Sequence, residues 1–276
     1  MAATLRRVAR HLLGVDVYHR WRRLYIGQLQ DSDSPWEPKG RFAALFADHH
    51  GRVAHKWVHY FEIYDQLFER FTGGFKLDDG SRRPLRFLEI GVAQGGSLEL
   101  WRAYFGPDAI IFGIDIDPRC VITDRDDLQV RIGSQADPEF LLSVVAEMGG
   151  IDVVLDDGSH VASHQRVSFD TLFPLLSGGG LYIVEDTQTA YFLRHRGGFR
   201  RPGTIIEVAK GMVDGLHKWH FRAPVGRRAK LASTDVVSIQ FFDSVVAFEK
   251  GIRDRPARRK TAVNRQSVRE PQSELS

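Results

Sequence analysis

The chain has 276 residues, 43% hydrophobic and 26% charged, enough for one large domain with terminal additions or two small domains, and too apolar for general disorder. Its one cysteine, Cys120, excludes an internal disulfide and fits a reducing cytoplasm. No apolar run nears the roughly 20 residues that span a bilayer, and no secretory-type apolar core lies between the N-terminal arginines, so a soluble protein is expected. The net charge of +3 hides a division: six basic residues face one acidic in Met1 to Arg23, seven face three in Ile252 to Ser276, and the body between carries −6.

In chain order, Leu5, Val8 and Leu12 share a helical face among arginines. That pattern predicts a helix capping the main domain, with a helix on a membrane surface or anionic partner as the alternative. A loop rich in Ser, Asp and Pro runs from Asp31 to Gly40. Trp57, Tyr60, Phe61, Tyr64, Leu67, Phe68 and Phe71 then recur at helical spacing, which predicts an amphipathic helix with its stripe in the core.

From Leu85, strand-like and helix-like segments alternate. LRFLEIG, AIIFGIDID, LQVRIG, IDVVLDD and GLYIVED read as strands, with helices around Ser97 to Phe105, Pro138 to Met148 and His164 to Leu176. Such alternation implies βαβ units with right-handed crossovers, and so an α/β, doubly wound, Rossmann-like and mostly parallel sheet. After a helix around Thr204 to Lys218, DVVSIQFF and SVVAFEK form a hairpin turning at Asp243 and Ser244, which ends a seven-stranded sheet with an antiparallel last strand. The expected organisation is a helical extension or lid over residues 1–84, an α/β domain over 85–251, and a basic disordered tail over 252–276.

The segment FLEIGVAQGGS follows the first strand and opens a helix at Ser97. Its glycines do not fit the G-x-G-x-x-G dinucleotide fingerprint, because Val92 and Ala93 follow Gly91. Glu89, Gly91 and Gly95 instead form E-x-G-x-x-x-G, which resembles the first motif of class I S-adenosylmethionine-dependent methyltransferases. Bare glycine backbone permits close approach of the cofactor's amino-acid end and ribose, and a nearby acid suits its cationic charges. Asp115, at the next strand end about 20 residues on, stands where a carboxylate accepts both ribose hydroxyls. In methyltransferases of this class the stretch corresponding to GSQAD holds the adenine, which points to Gln135 and Ser134. An ordinary loop ahead of a helix is an equal reading of Ser134, Gln135 and Asp137.

IDVVLDDGSH and GLYIVED end in paired carboxylates on strands that are expected to be neighbours. Like charges converging in one crevice repel unless a cation sits among them, so Asp157, Glu185 and Asp186 read as an oxygen-ligand site for a hard divalent ion such as Mg²⁺. Capping pairs at strand-to-helix turns are the alternative. His160 is placed to take a proton beside that ion. His164, one turn on, permits an H-x-x-x-H zinc pair, which is set aside because the other candidate ligands are carboxylates and no cysteine is near.

LDDGSH followed 28 residues later by ED resembles the metal-dependent sugar O-methyltransferases of natural-product biosynthesis, the mycinamicin deoxysugar 2-O-methyltransferase type and its cephalosporin hydroxylase relatives. The resemblance covers about Lys56 to Lys250 and includes HKWVHYFEIY. It implies S-adenosylmethionine and Mg²⁺ as cofactors, Asp157, Glu185 and Asp186 as metal ligands, His160 as base, and a glycoside or oligosaccharide as acceptor. Asp156 is expected toward the methyl end of the cofactor. Tyr60, Tyr64 and Tyr191 are possible sugar-site residues that are more often core, and Gln188 to Arg201 is a candidate substrate-covering loop. A cytoplasmic homo-oligomer without stable nucleic-acid or transmembrane attachment is expected. The competing classes are a phenol or catechol O-methyltransferase, a nucleic-acid methyltransferase or binder, and a non-catalytic cofactor-binding protein.

Overall fold

The computed structural model describes residues 36–123, 127–220, 235–252 and 254–259. The expected N-terminal amphipathic helix and most of the basic tail lie outside them. The first elements are α1 (Arg41–Ala47) and α2 (Tyr60–Phe68), the latter running on as a 3-10 turn over Glu69–Phe71. No residue of α1 caps its own first turn. Asp65 of α2 does so from outside, its Oδ1 accepting from Phe42 N at 3.0 Å and from Tyr104 Oη at 2.9 Å. A carboxylate at a helix start satisfies orphan N–H groups and the helix dipole together.

A small antiparallel pair, β1 (Phe75–Lys76) and β2 (Arg82–Arg83), leads into the α/β body. That body comprises β3 (Arg86–Ile90), α3 (Gly96–Phe105), β4 (Ile110–Asp115), β5 (Gln129–Ile132), α4 (Pro138–Met148), β6 (Ile151–Asp156), α5 (Ala162–Leu172), β7 (Leu176–Val184), α6 (Ile205–Leu216), β8 (Val236–Phe242) and β9 (Val245–Lys250). The seven-stranded sheet has the order β5-β4-β3-β6-β7-β9-β8. Strands β3 to β7 pair in parallel, and β9 enters antiparallel between β7 and the edge strand β8. The hairpin turns at Asp243 and Ser244 as expected, with Ser244 at φ +64°. Helix α5 starts two residues before the expected His164 and ends at Leu172, because Pro174 two residues on disfavours continuation.

All six residues of β6 are buried, as befits a central strand covered on both faces. Alternation divides the strands' side chains between two cores. Phe87, Val153, Leu155, Leu181 and Ile183 face an aromatic layer of Phe42, Tyr60, Tyr64, Phe68 and Trp101 from α1, α2 and α3. Leu88, Ile90, Val154, Tyr182 and Val184 face Leu141, Val144, Phe169 and Met212 from α4, α5 and α6. This parity decides which face each acid at the strand ends will meet.

At the opposite edge of the sheet, Asp152 is fully buried. It takes two bonds of 2.6 Å from the Arg83 guanidinium, one from Arg86 N at 2.9 Å and one from Ser177 Oγ at 2.6 Å. Asp152→Ala removes the carboxylate that holds these groups, while Arg83 keeps some access to water. Urea melts are expected to show a loss of about 2–3 kcal/mol, with Asp152→Asn losing less.

Candidate active site

After β3 the chain passes through Gly91 (φ +96°), Ala93 (φ +49°) and Gly95 (φ +87°) before α3 begins. A side chain at Gly91 would put its Cβ 2.2 Å from the Asp157 carbonyl oxygen, so only glycine lets this loop cross the loop after β6. Asp115 Oδ2 accepts from Val92 N at 2.9 Å and Ala93 N at 3.0 Å, and its Oδ1 accepts from Asp117 N at 2.9 Å. The acid at the end of β4 thus shapes the glycine loop. Glu89 is fully buried, accepting from Ser97 Oγ at 2.7 Å and Trp101 Nε1 at 3.3 Å. The Ser97 hydroxyl is committed to Glu89 instead of facing open space.

Asp156 and Gln135 are placed differently from expectation. Asp156 shares the parity of Val154 and so points to the α4 and α5 face. There it accepts from Ser168 Oγ at 2.7 Å, Tyr182 Oη at 3.0 Å and Gln135 Nε2 at 3.1 Å. It has no exposure, and burial pushes its carboxyl up. Gln135 spends its oxygen on Ser159 N at 2.7 Å. The two residues form an internal clamp that fixes the loop 157–160: Asp156, expected toward the methyl end of the cofactor, and Gln135, expected at the adenine, are both bonded to the protein's own groups.

Glu89, Asp157 and Glu185 have the opposite parity and meet on the face covered by the segment ahead of the α/β body. The centre of their meeting is Lys56, whose side chain is 4% exposed. Its Nζ lies 2.6 Å from Asp157 Oδ2, 2.9 Å from Glu185 Oε2 and 3.7 Å from Glu89 Oε1. Tyr64 Oη donates to Glu185 Oε1 at 2.5 Å, so both Glu185 oxygens are engaged. Burial, reinforced by Asp157 and opposed by Lys56 and Tyr64, pushes Glu185 up to about 8. Burial likewise pushes Glu89 up to about 7, against Lys56 and Ser97. Lys56 was missed in the sequence, where its only signal is a lysine opening the aromatic stretch HKWVHYFEIY.

The open part of the site is formed by Asp157, His160 and Asp186, which offer ligand atoms all within 4.8 Å of one another. Each carboxylate has one oxygen held and one turned to the crevice. Asp186 Oδ1 accepts from Tyr60 Oη at 2.8 Å, Trp57 Nε1 at 3.2 Å and Gln188 Nε2 at 3.3 Å, while its Oδ2 lies 3.6 Å from His160 Nε2. Asp157 Oδ1 lies 4.0 Å from the same nitrogen. His160 (φ +55°) and Asp186 (φ +52°) both occupy the left-handed region, backbone strain that tertiary structure must sustain. Carboxylate oxygens turned to one half-buried crevice suit a hard divalent cation that keeps positions for water and substrate. Of the expected metal acids, the structure presents Asp157 and Asp186 to the crevice and holds Glu185 behind them on Lys56. Tyr60 and Tyr64 are core residues that also hold these acids, and Tyr191 is exposed on the rim. His164 Nδ1 faces Ser159 Oγ at 3.0 Å, outside this cluster.

No protein-family model matches the chain. It is 36% identical over 222 residues to the 8-demethyl-8-(2-methoxy-alpha-L-rhamnosyl)-tetracenomycin-C 3'-O-methyltransferase of Streptomyces olivaceus, covering 77% of this chain and 53% of that protein. It is 34% identical over 189 residues to the mycinamicin VI 2''-O-methyltransferase of Micromonospora griseorubida, covering 64% of this chain and 46% of that protein. The solved MycE methyltransferase of the mycinamycin pathway, in complex with Mg and SAH, superposes with a TM-score of 0.62 at 31% identity, covering 71% of this chain and 51% of that one. The chain spans about half the length of the relatives it matches.

Two outcomes follow from the acid cluster. Lys56→Ala leaves Glu89, Asp157 and Glu185 without their buried cation and is expected to cost about 3–5 kcal/mol in metal-free buffer, with part of the melting temperature recovered on adding Mg²⁺. Glu89 titrates at 4.5 ordinarily and near 7 in the fold, so its contribution is full below about 4.5 and is lost as pH rises through about 7. Thermal melts of the metal-free protein are expected to show stability falling from pH 5 to pH 8 on this account, and less steeply in Glu89→Gln.

Proposed function

We propose that this chain, a homologue of the natural-product sugar O-methyltransferases with their class I methyltransferase fold, is an S-adenosylmethionine- and divalent-cation-dependent O-methyltransferase acting on a sugar hydroxyl. The observation that carries this reading is the crevice itself: Asp157, Asp186 and His160 converge beside the bare backbone of the loop from Gly91 to Gly95. That loop and Asp115 would hold the cofactor. Asp157 and Asp186 would hold the cation, most simply Mg²⁺, with Glu185 in reserve on Lys56. The cofactor supplies an activated methyl group, and the cation makes a sugar hydroxyl near it more acidic.

The chain's own residues do the rest. His160 presents Nε2 to the space between the two carboxylates and is the group placed to accept the hydroxyl proton. Asp157 Oδ1 and Asp186 Oδ2 lie 4.0 and 3.6 Å from that nitrogen, so base, cation and acceptor hydroxyl would share one small space. Trp57, Tyr60 and Gln188 fix Asp186, and Lys56 fixes Asp157, so the acids need little reorganisation when acceptor and donor meet. Much of the rate would come from this positioning, since the methyl donor is already activated. A reducing, cytoplasmic setting belongs to the same reading and is supported by the single cysteine, which is buried.

Calorimetry with S-adenosylmethionine and transfer to a panel of glycosides test the assignment. His160→Ala is expected to lower transfer by about 10²–10⁴-fold while leaving cofactor affinity unchanged. Asp157→Ala and EDTA are each expected to abolish transfer. Transfer that persists unchanged in EDTA and in both variants would sink the assignment.

A further inference from the structure

The segment between β7 and α6 forms the rim of the crevice. Thr189 Oγ1 donates to the Asp186 carbonyl at 2.7 Å and lies 3.4 Å from the His160 carbonyl, and the ring of His195 lies 6.2 Å from that of His160. The rim is tied to itself. Gly198 N donates to Ala190 O at 2.7 Å and Gly197 N to Phe192 O at 3.0 Å, and a Cβ on Gly197 would lie 2.3 Å from Ala190 O.

This self-braced segment holds large apolar side chains in water. Leu193 and Phe199 are each 79% exposed, and Tyr191 and Phe192 are 47% and 41% exposed. Between and beside them stand Arg194, Arg196, Arg200 and Arg201, with no Asp or Glu from Gln188 to Gly203. Several surface arginines elsewhere pair with carboxylates, as Arg70 does with Glu249 and Arg166 with Asp170, while Arg82 bonds backbone carbonyls. The rim arginines instead meet rings and neutral groups: Arg194 the Phe192 ring and His195, Arg196 the Ser163 hydroxyl, Arg200 the Phe199 ring, and Arg201 the Gly197 carbonyl. This basic rim sits on a body of net charge −6, so it is not a by-product of general basicity.

Clustered apolar side chains on a braced support mark an interaction surface. Arginines without an acidic partner among the described residues, interleaved with aromatic and aliphatic tips, match a layered partner with acidic groups outside and hydrocarbon beneath. We propose that the rim from Tyr191 to Arg201 seats on an anionic lipid bilayer, so that the acceptor sugar reaches the crevice as part of a membrane glycolipid. Leu193 and Phe199 enter the headgroup boundary, and the four arginines contact acidic headgroups. The basic stretches Met1 to Arg23 and Ile252 to Ser276 add attraction of the same sign. Attachment is peripheral in the described part of the chain, where no helix is long and apolar enough to cross a membrane. The glycolipid step rests on the O-methyltransferase reading above; the docking does not.

The test is co-sedimentation of the full chain with phosphatidylcholine vesicles, with and without phosphatidylglycerol, in the absence of cofactor and acceptor. Salt-sensitive retention only on the anionic vesicles is expected. The double variant Leu193→Ser with Phe199→Ser, and separately Arg200→Gln with Arg201→Gln, should each lower the partition coefficient by about tenfold or more. Unchanged melting temperature and S-adenosylmethionine affinity in these variants would confirm that the fold is intact. Absence of binding to anionic vesicles overturns the proposal, and so does equal retention of the apolar double variant, which would assign binding to the basic ends alone. Capture of a protein partner through the rim without vesicle binding also overturns it. Because vesicle binding is read without cofactor, failure of the methyltransferase reading would show separately, as absent cofactor binding in calorimetry.

Discussion

The ammonium of Lys56 among Glu89, Asp157 and Glu185 is the contact on which the rest of the site depends. Three carboxylates arrive there from the ends of β3, β6 and β7 because parallel neighbours must bring their C-terminal ends to one edge. Buried together without a cation they would repel and neutralise by taking up protons. A single lysine offsets that repulsion, and it comes from the segment ahead of the α/β body. This segment is therefore part of the site. Trp57, Tyr60 and Tyr64 follow Lys56 and donate to Asp186 and Glu185, so one short stretch grips four acids while its aromatic rings fill the core beneath.

The second constraint is the pleat of the sheet. Asp156 and Asp157 are adjacent in sequence but serve different faces. The first is locked with Gln135, Ser168 and Tyr182 to hold the loop, and the second opens to the crevice. The division leaves one acid inside the fold and one at the crevice. It also explains why the glycine loop can lie against the Asp157 backbone, since nothing from Asp156 intrudes on that side. The contact at Gly91 couples the two loops, so groups held by either would stand close together.

A site so heavily braced tolerates strain where the function is proposed to lie. His160 and Asp186 both adopt left-handed backbone, and Asp186 is held at its carbonyl by Thr189 and at its carboxylate by three donors. The same bracing extends to the rim, where a self-bonded segment keeps apolar side chains outward.

Much of this was legible in the order of residues alone. Alternating apolar runs and helical stretches specified the doubly wound sheet and its closing hairpin, because burial on both faces of a parallel strand demands such runs. The positions of Asp157, Asp186 and His160 just past strand ends pointed to the cluster that the fold brings together, because a parallel sheet collects polar groups there. What only the tertiary structure decided was the direction and partner of each side chain. Asp156 and Gln135 turned inward because strand parity and the packing of α4 and α5 gave them internal donors and acceptors. Glu185 was taken up by Lys56, a residue 129 positions away in the chain. Spacing records which groups share an edge, but a contact between distant segments exists only once the core beneath them has formed.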